Sequence, residues 1–179
     1  MNHDSYSPDY IREILNSVKV IALVGASSNV VRPSYFVLQY LMDKGYDVIP
    51  VNPGLAGQTL LGKTVYGTLK DVPQAIDMVD IFRNSKAAGG VVDEALALAP
   101  KPSVIWMQLF VRNDEAAARA GAAGLKVVMN RCSKIEYGKL SGEWAWVGGN
   151  SGIISSRRQH MHESGKMQSL GLGGLPPKR

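Results

Sequence analysis

The feature that most constrains this chain is an apolar run that ends in glycine and opens into a proline-started segment. It reads Val20-Ile21-Ala22-Leu23-Val24, then Gly25-Ala26-Ser27-Ser28, then Arg32-Pro33-Ser34. Five consecutive apolar residues fit a strand buried on both faces, as parallel sheets require. Gly25 stands where the chain must turn hard, or where a ligand must approach the backbone closely. Pro33 suits a first helical turn, where its missing N–H costs nothing. Val37, Leu38 and Leu41 then line one face at helical spacing. A strand, a tight turn and a helix N-terminus in this order aim backbone N–H groups at one spot, a natural anion site. Arg32, at the mouth, adds a fixed positive charge suited to phosphate. The stretch therefore reads as a phosphate cradle of the nucleotide-binding kind.

The rest of the chain builds around it. Ser7-Pro8-Asp9 supplies an N-cap, a proline at the first helical position and an acid in the first turn. Tyr10, Ile11, Ile14, Leu15 and Val18 follow at helical spacing, so a leading helix is expected over about residues 8–18. The helix after the cradle should stop near Lys44-Gly45. Asp47-Val48-Ile49-Pro50-Val51 reads as a second strand, and Pro50 suggests an edge position. Residues 54–67 read as a loop with one short strand near Val65. Asp71-Val72-Pro73-Gln74-Ala75-Ile76 reads as a short helix with an acidic cap. Further strands are expected at Met78–Phe82, Ser103–Met107 and Lys126–Met129. Between them lie a helix marked by Val91, Val92, Ala95, Leu96 and Ala99, and an alanine-rich helix capped by Asn113-Asp114-Glu115. Strands alternating with helices over short connections predict an α/β fold. The expected architecture is Rossmann-like and doubly wound: a mainly parallel five-stranded sheet with helices on both faces. Ligands of such sheets bind beyond the C-terminal strand ends. Here those ends are Gly25 to Ser28, Asn52-Pro53, Phe82-Arg83, Gln108-Leu109 and Asn130-Arg131.

Composition narrows the class. The chain's 179 residues suit one domain with a sizeable core. Its single cysteine excludes an internal disulfide, and its start lacks the basic and apolar runs of a signal peptide, so a cytoplasmic protein is expected. No apolar run reaches the length of a membrane span. The net charge of +5 would suit an anionic ligand. No basic block interleaved with aromatics appears, which argues against nucleic acid as a partner. Residues 1–137 read as the folded domain. Residues 138–179 carry nine of the 19 glycines and read as a Gly-rich basic extension, partly mobile, with Trp144 and Trp146 anchoring its first part. The sequence leaves a homodimer open.

The ligand is narrowed by what the cradle lacks. A dinucleotide fingerprint needs three glycines and an acid about 20 residues on, whereas this chain has Gly25 alone and ends its second strand in Asn52. That counts against NAD. NADP survives better, because Arg32 can meet a 2′-phosphate. No histidine lies between His3 and His160, and no Cys/His/acid cluster has metal-ligand spacing. Cys132 suggests a reactive thiol, but a partly buried structural cysteine is the plainer reading. The absence of catalytic candidates favours a binding module over an enzyme. Two alternatives stand beside it: an NADP-dependent oxidoreductase, and an interaction module that has lost ligand binding.

An ordered set of short motifs carries a resemblance. These are Gly25-Ala26-Ser27 with Arg32-Pro33-Ser34, Val48-Ile49-Pro50-Val51-Asn52-Pro53, Val79-Asp80-Ile81-Phe82-Arg83, Trp106-Met107-Gln108-Leu109 and Val128-Met129-Asn130-Arg131-Cys132. Together they resemble the small bacterial and archaeal CoA-binding proteins, which are similar to the N-terminal domain of the succinyl-CoA synthetase α subunit. The resemblance implies coenzyme A, or an acyl-CoA, bound at the C-terminal strand ends. It implies that Gly25, Ala26 and Ser27, with Ser28 beside them, contact the phosphates. Arg32 would pair with a phosphate, with Pro33 beside it, and Ser34 would help cap the helix. Asn52 and Pro53 would flank the adenosine, Phe82 and Arg83 would line the next side, and Gln108 and Asn130 would lie along the pantetheine arm. The phosphorylated histidine of the synthetases has no counterpart here, so ligase activity is not implied. The chain departs from the small proteins at Phe110-Val111, where a glycine is common, and in its extension from Ser141.

Overall fold

The computed structural model describes residues 2–142. Helix α1 (Pro8–Ser17) starts as its residues dictate: the Ser7 hydroxyl accepts the Tyr10 N–H at 3.2 Å and Pro8 fills the first turn. Strand β1 (Val20–Val24) follows, then α2 (Pro33–Asp43) and β2 (Asp47–Val51). After a 3₁₀ turn at Pro53–Leu55 come β3 (Thr59–Leu60) and β4 (Lys63–Thr64), and after a second at Leu69–Asp71 comes β5 (Met78–Ile81). The chain then runs through α3 (Ser85–Leu96), β6 (Val104–Met107), α4 (Asp114–Ala122), β7 (Lys126–Val128) and α5 (Ser133–Ser141).

The large sheet has five strands, all parallel, in the order β2-β1-β5-β6-β7. Successive strand residues point to opposite faces, so a sheet covered on both sides needs apolar residues at nearly every position. Leu23, Met78, Val104, Trp106 and Val128 pack on one side with Ile11, Ile14 and Leu15 of α1, Val37, Leu38 and Leu41 of α2, and Tyr137 and Leu140 of α5. Ala22, Val79, Ile81, Ile105, Met107 and Val127 pack on the other, with Ala88, Val92 and Ala95 of α3 and Ala116, Ala117 and Ala120 of α4. Each fully buried large aliphatic contributes about 1.5–3 kcal/mol. The doubly wound α/β expectation is met.

Both sheet edges are covered. Pro50 lies in β2, an edge strand, as its chemistry requires. Its carbonyl accepts the Tyr66 N–H at 3.0 Å on the outer side, and the N–H that proline lacks would face the same way. At the opposite edge two tyrosine hydroxyls take the place of a further strand. Tyr10 accepts the Val127 N–H and donates to the Val127 carbonyl, and Tyr6 accepts the Met129 N–H at 2.7 Å. An open edge is a template for unwanted pairing, and this one is blunted.

Three local expectations need correction. Residues 54–67 hold a small hairpin, β3 with β4, rather than a loop with one strand. Its turn places Leu61 and Gly62 at φ 49° and 79°, and leucine is not a residue that signals such a turn. Asp71 does not start a helix. Its carboxylate turns back to accept from the Thr68 N–H and hydroxyl, and Pro73 holds Val72 out of the helical region. Finally, α5 runs through residue 137, where the sequence shows only a change of composition. It buries Ser133, Tyr137, Gly138 and Leu140, so no aliphatic stripe marks it, and it ends at Gly142 in the left-handed conformation. Trp144, Trp146 and the rest of the extension lie outside the described residues.

Candidate functional site

The sheet order reverses between β1 and β5, because β2 lies on one side of β1 and the later strands on the other. Such a reversal leaves a crevice at the C-terminal strand ends. A cavity of about 560 Å³ lies there. Three loops form it: the β1–α2 turn, the residues after β2 and the residues after β5.

Gly25 makes the first wall possible. Its φ is +95°, and a Cβ there would stand 2.4 Å from the Phe82 carbonyl oxygen. The glycine is therefore required by the approach of the β5 end. The Gly25 and Ala26 N–H groups both donate to the Val51 carbonyl, at 2.9 and 3.3 Å. Donors for an anion must come from further along, at Ser27, Ser28 and Ser34, because Pro33 has no N–H and the Tyr35 and Phe36 N–H groups already donate to the Arg32 carbonyl, at 3.0 and 3.4 Å. Arg32 is the N-cap of α2 and Pro33 its first residue. Ser34 does not cap the helix. It sits one residue further in and is 95% buried (5% exposed), lining the cavity with no hydrogen bond among the described residues. Buried hydroxyls ordinarily have partners.

Asn52 braces the second wall. Its side chain donates to the Ala26 carbonyl at 2.7 Å and accepts the Gly54 N–H at 2.8 Å. The residues that face the cavity beyond it are Gly54 and Leu55, which sequence reading missed, while Pro53 does not line it. Both belong to the 3₁₀ turn Pro53–Leu55, which Asn52 caps. Phe82 and Arg83 form the third wall.

The electrostatics are one-sided. Arg32 and Arg83 both line the cavity, and among the described residues no acidic side chain does. Neither guanidinium has an ion pair among the described residues, whereas Arg12, Arg112 and Arg119 each hold an aspartate. Two exposed, unpaired guanidiniums beside a helix N-terminus make a strong anion trap.

Gln108 and Asn130 stand apart. Gln108 is buried, and its amide donates to both Asp80 carboxylate oxygens, at 2.8 and 3.0 Å, and to the Ser133 hydroxyl at 2.9 Å. Ser133 in turn donates to Asp80 at 2.9 Å. Asp80 is fully buried between Leu23 and Trp106, and burial pushes its carboxyl up to about 7 against the pull of those hydrogen bonds. Asn130 takes a left-handed backbone (φ 53°), and its side chain accepts the Phe110 N–H at 2.8 Å. Gln108 ties the β6 end to β5 and α5, Asn130 ties the β7 end to the turn after β6, and neither lines the cavity. The Cys132 thiol is raised by burial, which keeps it protonated, and no metal-ligating cluster occurs among the described residues.

The fold is a parallel α/β sheet with a cationic crevice at its topological switch. The chain belongs to the CoA binding domain family, whose model matches residues 19–138. It is 38% identical over 128 residues to the uncharacterized protein YneT of Bacillus subtilis (strain 168), spanning 71% of this chain and 91% of that one. It is likewise 38% identical to a hypothetical protein from Pyrococcus horikoshii OT3, with a TM-score of 0.72 over 78% of this chain and 96% of that structure. At 25% identity and a TM-score of 0.54 it also matches a dinucleotide forming acetyl-coenzyme A synthetase 1 from Ca. Korarchaeum cryptofilum, over 64% of this chain but 26% of the synthetase. Among the described residues no helix is long and apolar enough to cross a membrane.

Proposed function

We propose that the protein binds coenzyme A, or an acyl-CoA, without transforming it, and that the nucleotide end occupies the crevice at the β1, β2 and β5 ends. One observation carries this reading: Arg32 and Arg83 both line it with no ion pair, no acid joins them in the lining, and the buried Ser34 hydroxyl has no hydrogen bond, all among the described residues. A diphosphate supplies the acceptors all three lack, and a charge-assisted hydrogen bond contributes about 1.5–3 kcal/mol. Leu55 and Phe82 offer apolar surface for the adenine. A volume near 560 Å³ suits the nucleotide end and leaves the pantetheine arm to run outward. Family membership supports coenzyme A over other nucleotides. We place this activity in the cytoplasm, consistent with a chain whose one cysteine is unpaired.

Calorimetric titration of CoA, acetyl-CoA and NADPH into the full chain tests the reading. Saturable binding of CoA and acetyl-CoA, with NADPH much weaker, is the expected result. Binding of NADPH alone would replace it with the oxidoreductase reading, and no binding of any of the three would leave an interaction module.

A further inference from the structure

Phe110 is the outlier of the described residues. Its ring is 91% exposed, and its backbone sits at φ 65°, a region that bulky residues rarely enter. The conformation is held from several sides. The Asn130 side chain accepts the Phe110 N–H at 2.8 Å, the Val111 N–H donates to the Gln108 carbonyl at 2.9 Å, and the Asn130 N–H donates to the Val111 carbonyl at 3.1 Å. Ser85 accepts the Arg112 N–H at 3.0 Å and reaches the Phe110 carbonyl at 3.4 Å. Glycine would take this turn without strain, so folding does not call for phenylalanine. With the ring in solvent, core packing does not call for it either. A strained residue kept in place by its surroundings, with its side chain unused by the fold, points to a contact with something outside the chain.

Its place in the fold says what. The turn follows β6, on the same C-terminal rim as the crevice, beside the β5 end. Ser85, which holds its backbone, comes two residues after Arg83 of the crevice lining. Leu109, the preceding residue, is 42% exposed. A ligand whose phosphates sit at Arg32 and Arg83 and whose arm leaves along the rim therefore brings its far end to an apolar surface. We propose that Phe110, with Leu109, is a platform for the acyl chain of an acyl-CoA, so that the site prefers medium-chain acyl-CoA to free CoA. This inference rests on the proposed CoA-binding function.

The test compares CoA, acetyl-CoA and octanoyl-CoA by calorimetry on the full chain and on Phe110→Gly, which keeps the turn and removes the ring. Octanoyl-CoA should bind the parent about tenfold tighter than CoA, and the gap should shrink to about twofold in Phe110→Gly. Phe110→Tyr should retain the gap. Equal affinities for CoA and octanoyl-CoA in the parent would overturn the platform while leaving CoA binding intact, as would a gap that survives in Phe110→Gly. Failure of all three ligands to bind the parent would instead overturn the reading of the crevice, and the platform with it.

Discussion

The two halves of the C-terminal sheet rim are built on opposite rules. Beyond the ends of β2, β1 and β5 three polar groups are left wanting among the described residues: Arg32 and Arg83 lack acids, and the Ser34 hydroxyl is buried without a partner. Over β6 and β7 the polar groups satisfy one another. Gln108 after β6 and Ser133 after β7 close a buried triangle on Asp80 of neighbouring β5, and Asn130 clamps the Phe110 turn. Buried polar groups ordinarily find partners within the fold, and the half where they do not is the half in which the proposal places the ligand. Residue type alone does not distinguish the halves. Asn52 lies in the crevice half and is as fully engaged as Asn130.

The comparison can be broken by substitution, beginning with the largest effect. Gly25→Ala drives a methyl into the Phe82 carbonyl at a backbone angle that disfavours any side chain. It should cost about 3 kcal/mol or more of stability in a denaturant titration and abolish CoA binding with it. Gln108→Ala leaves a fully buried carboxyl with the Ser133 hydroxyl as its one remaining side-chain donor among the described residues, so it should cost about 1–3 kcal/mol in the same titration and change CoA affinity by less than about threefold. A variant of normal stability that loses CoA affinity would move Gln108 into the ligand site and collapse the distinction between the halves. Arg83→Ala should do the reverse, weakening CoA by about tenfold while leaving the unfolding midpoint in place, because its guanidinium has no ion pair among the described residues.

The smallest effect concerns protons. Burial raises the Asp80 carboxyl to about 7, so the folded chain holds this proton more tightly than the unfolded one. Its contribution to stability is complete below the ordinary carboxylate range and is lost as pH rises through about 7. Asp80→Asn removes this dependence. Unfolding midpoints measured from about pH 5 to about pH 8 should fall more steeply for the parent than for the variant.

Much of this was legible in the chain. The strand run at Val20–Val24, the Pro33 helix start and the Pro50 edge signal are local, and local rules placed them. Ten of the expected ligand residues gather at one cavity because strand ends of a parallel sheet share a rim. What was not legible depended on partners distant in sequence. Gly25 answers to Phe82, which is 57 positions away in the chain, and Gln108 to Asp80 and Ser133. The cavity contribution of Leu55 hangs on a three-residue turn, and α5 buries too little aliphatic surface to announce itself.

The central claim is that the two unpaired guanidiniums make the crevice a phosphate site. Its most direct test is CoA titration into the double variant Arg32→Ala/Arg83→Ala beside the parent, at low and moderate salt. The account predicts a loss of affinity of about a hundredfold or more, a shallower salt dependence and an unchanged unfolding midpoint. Parent-like affinity and salt dependence in a folded double variant would contradict it.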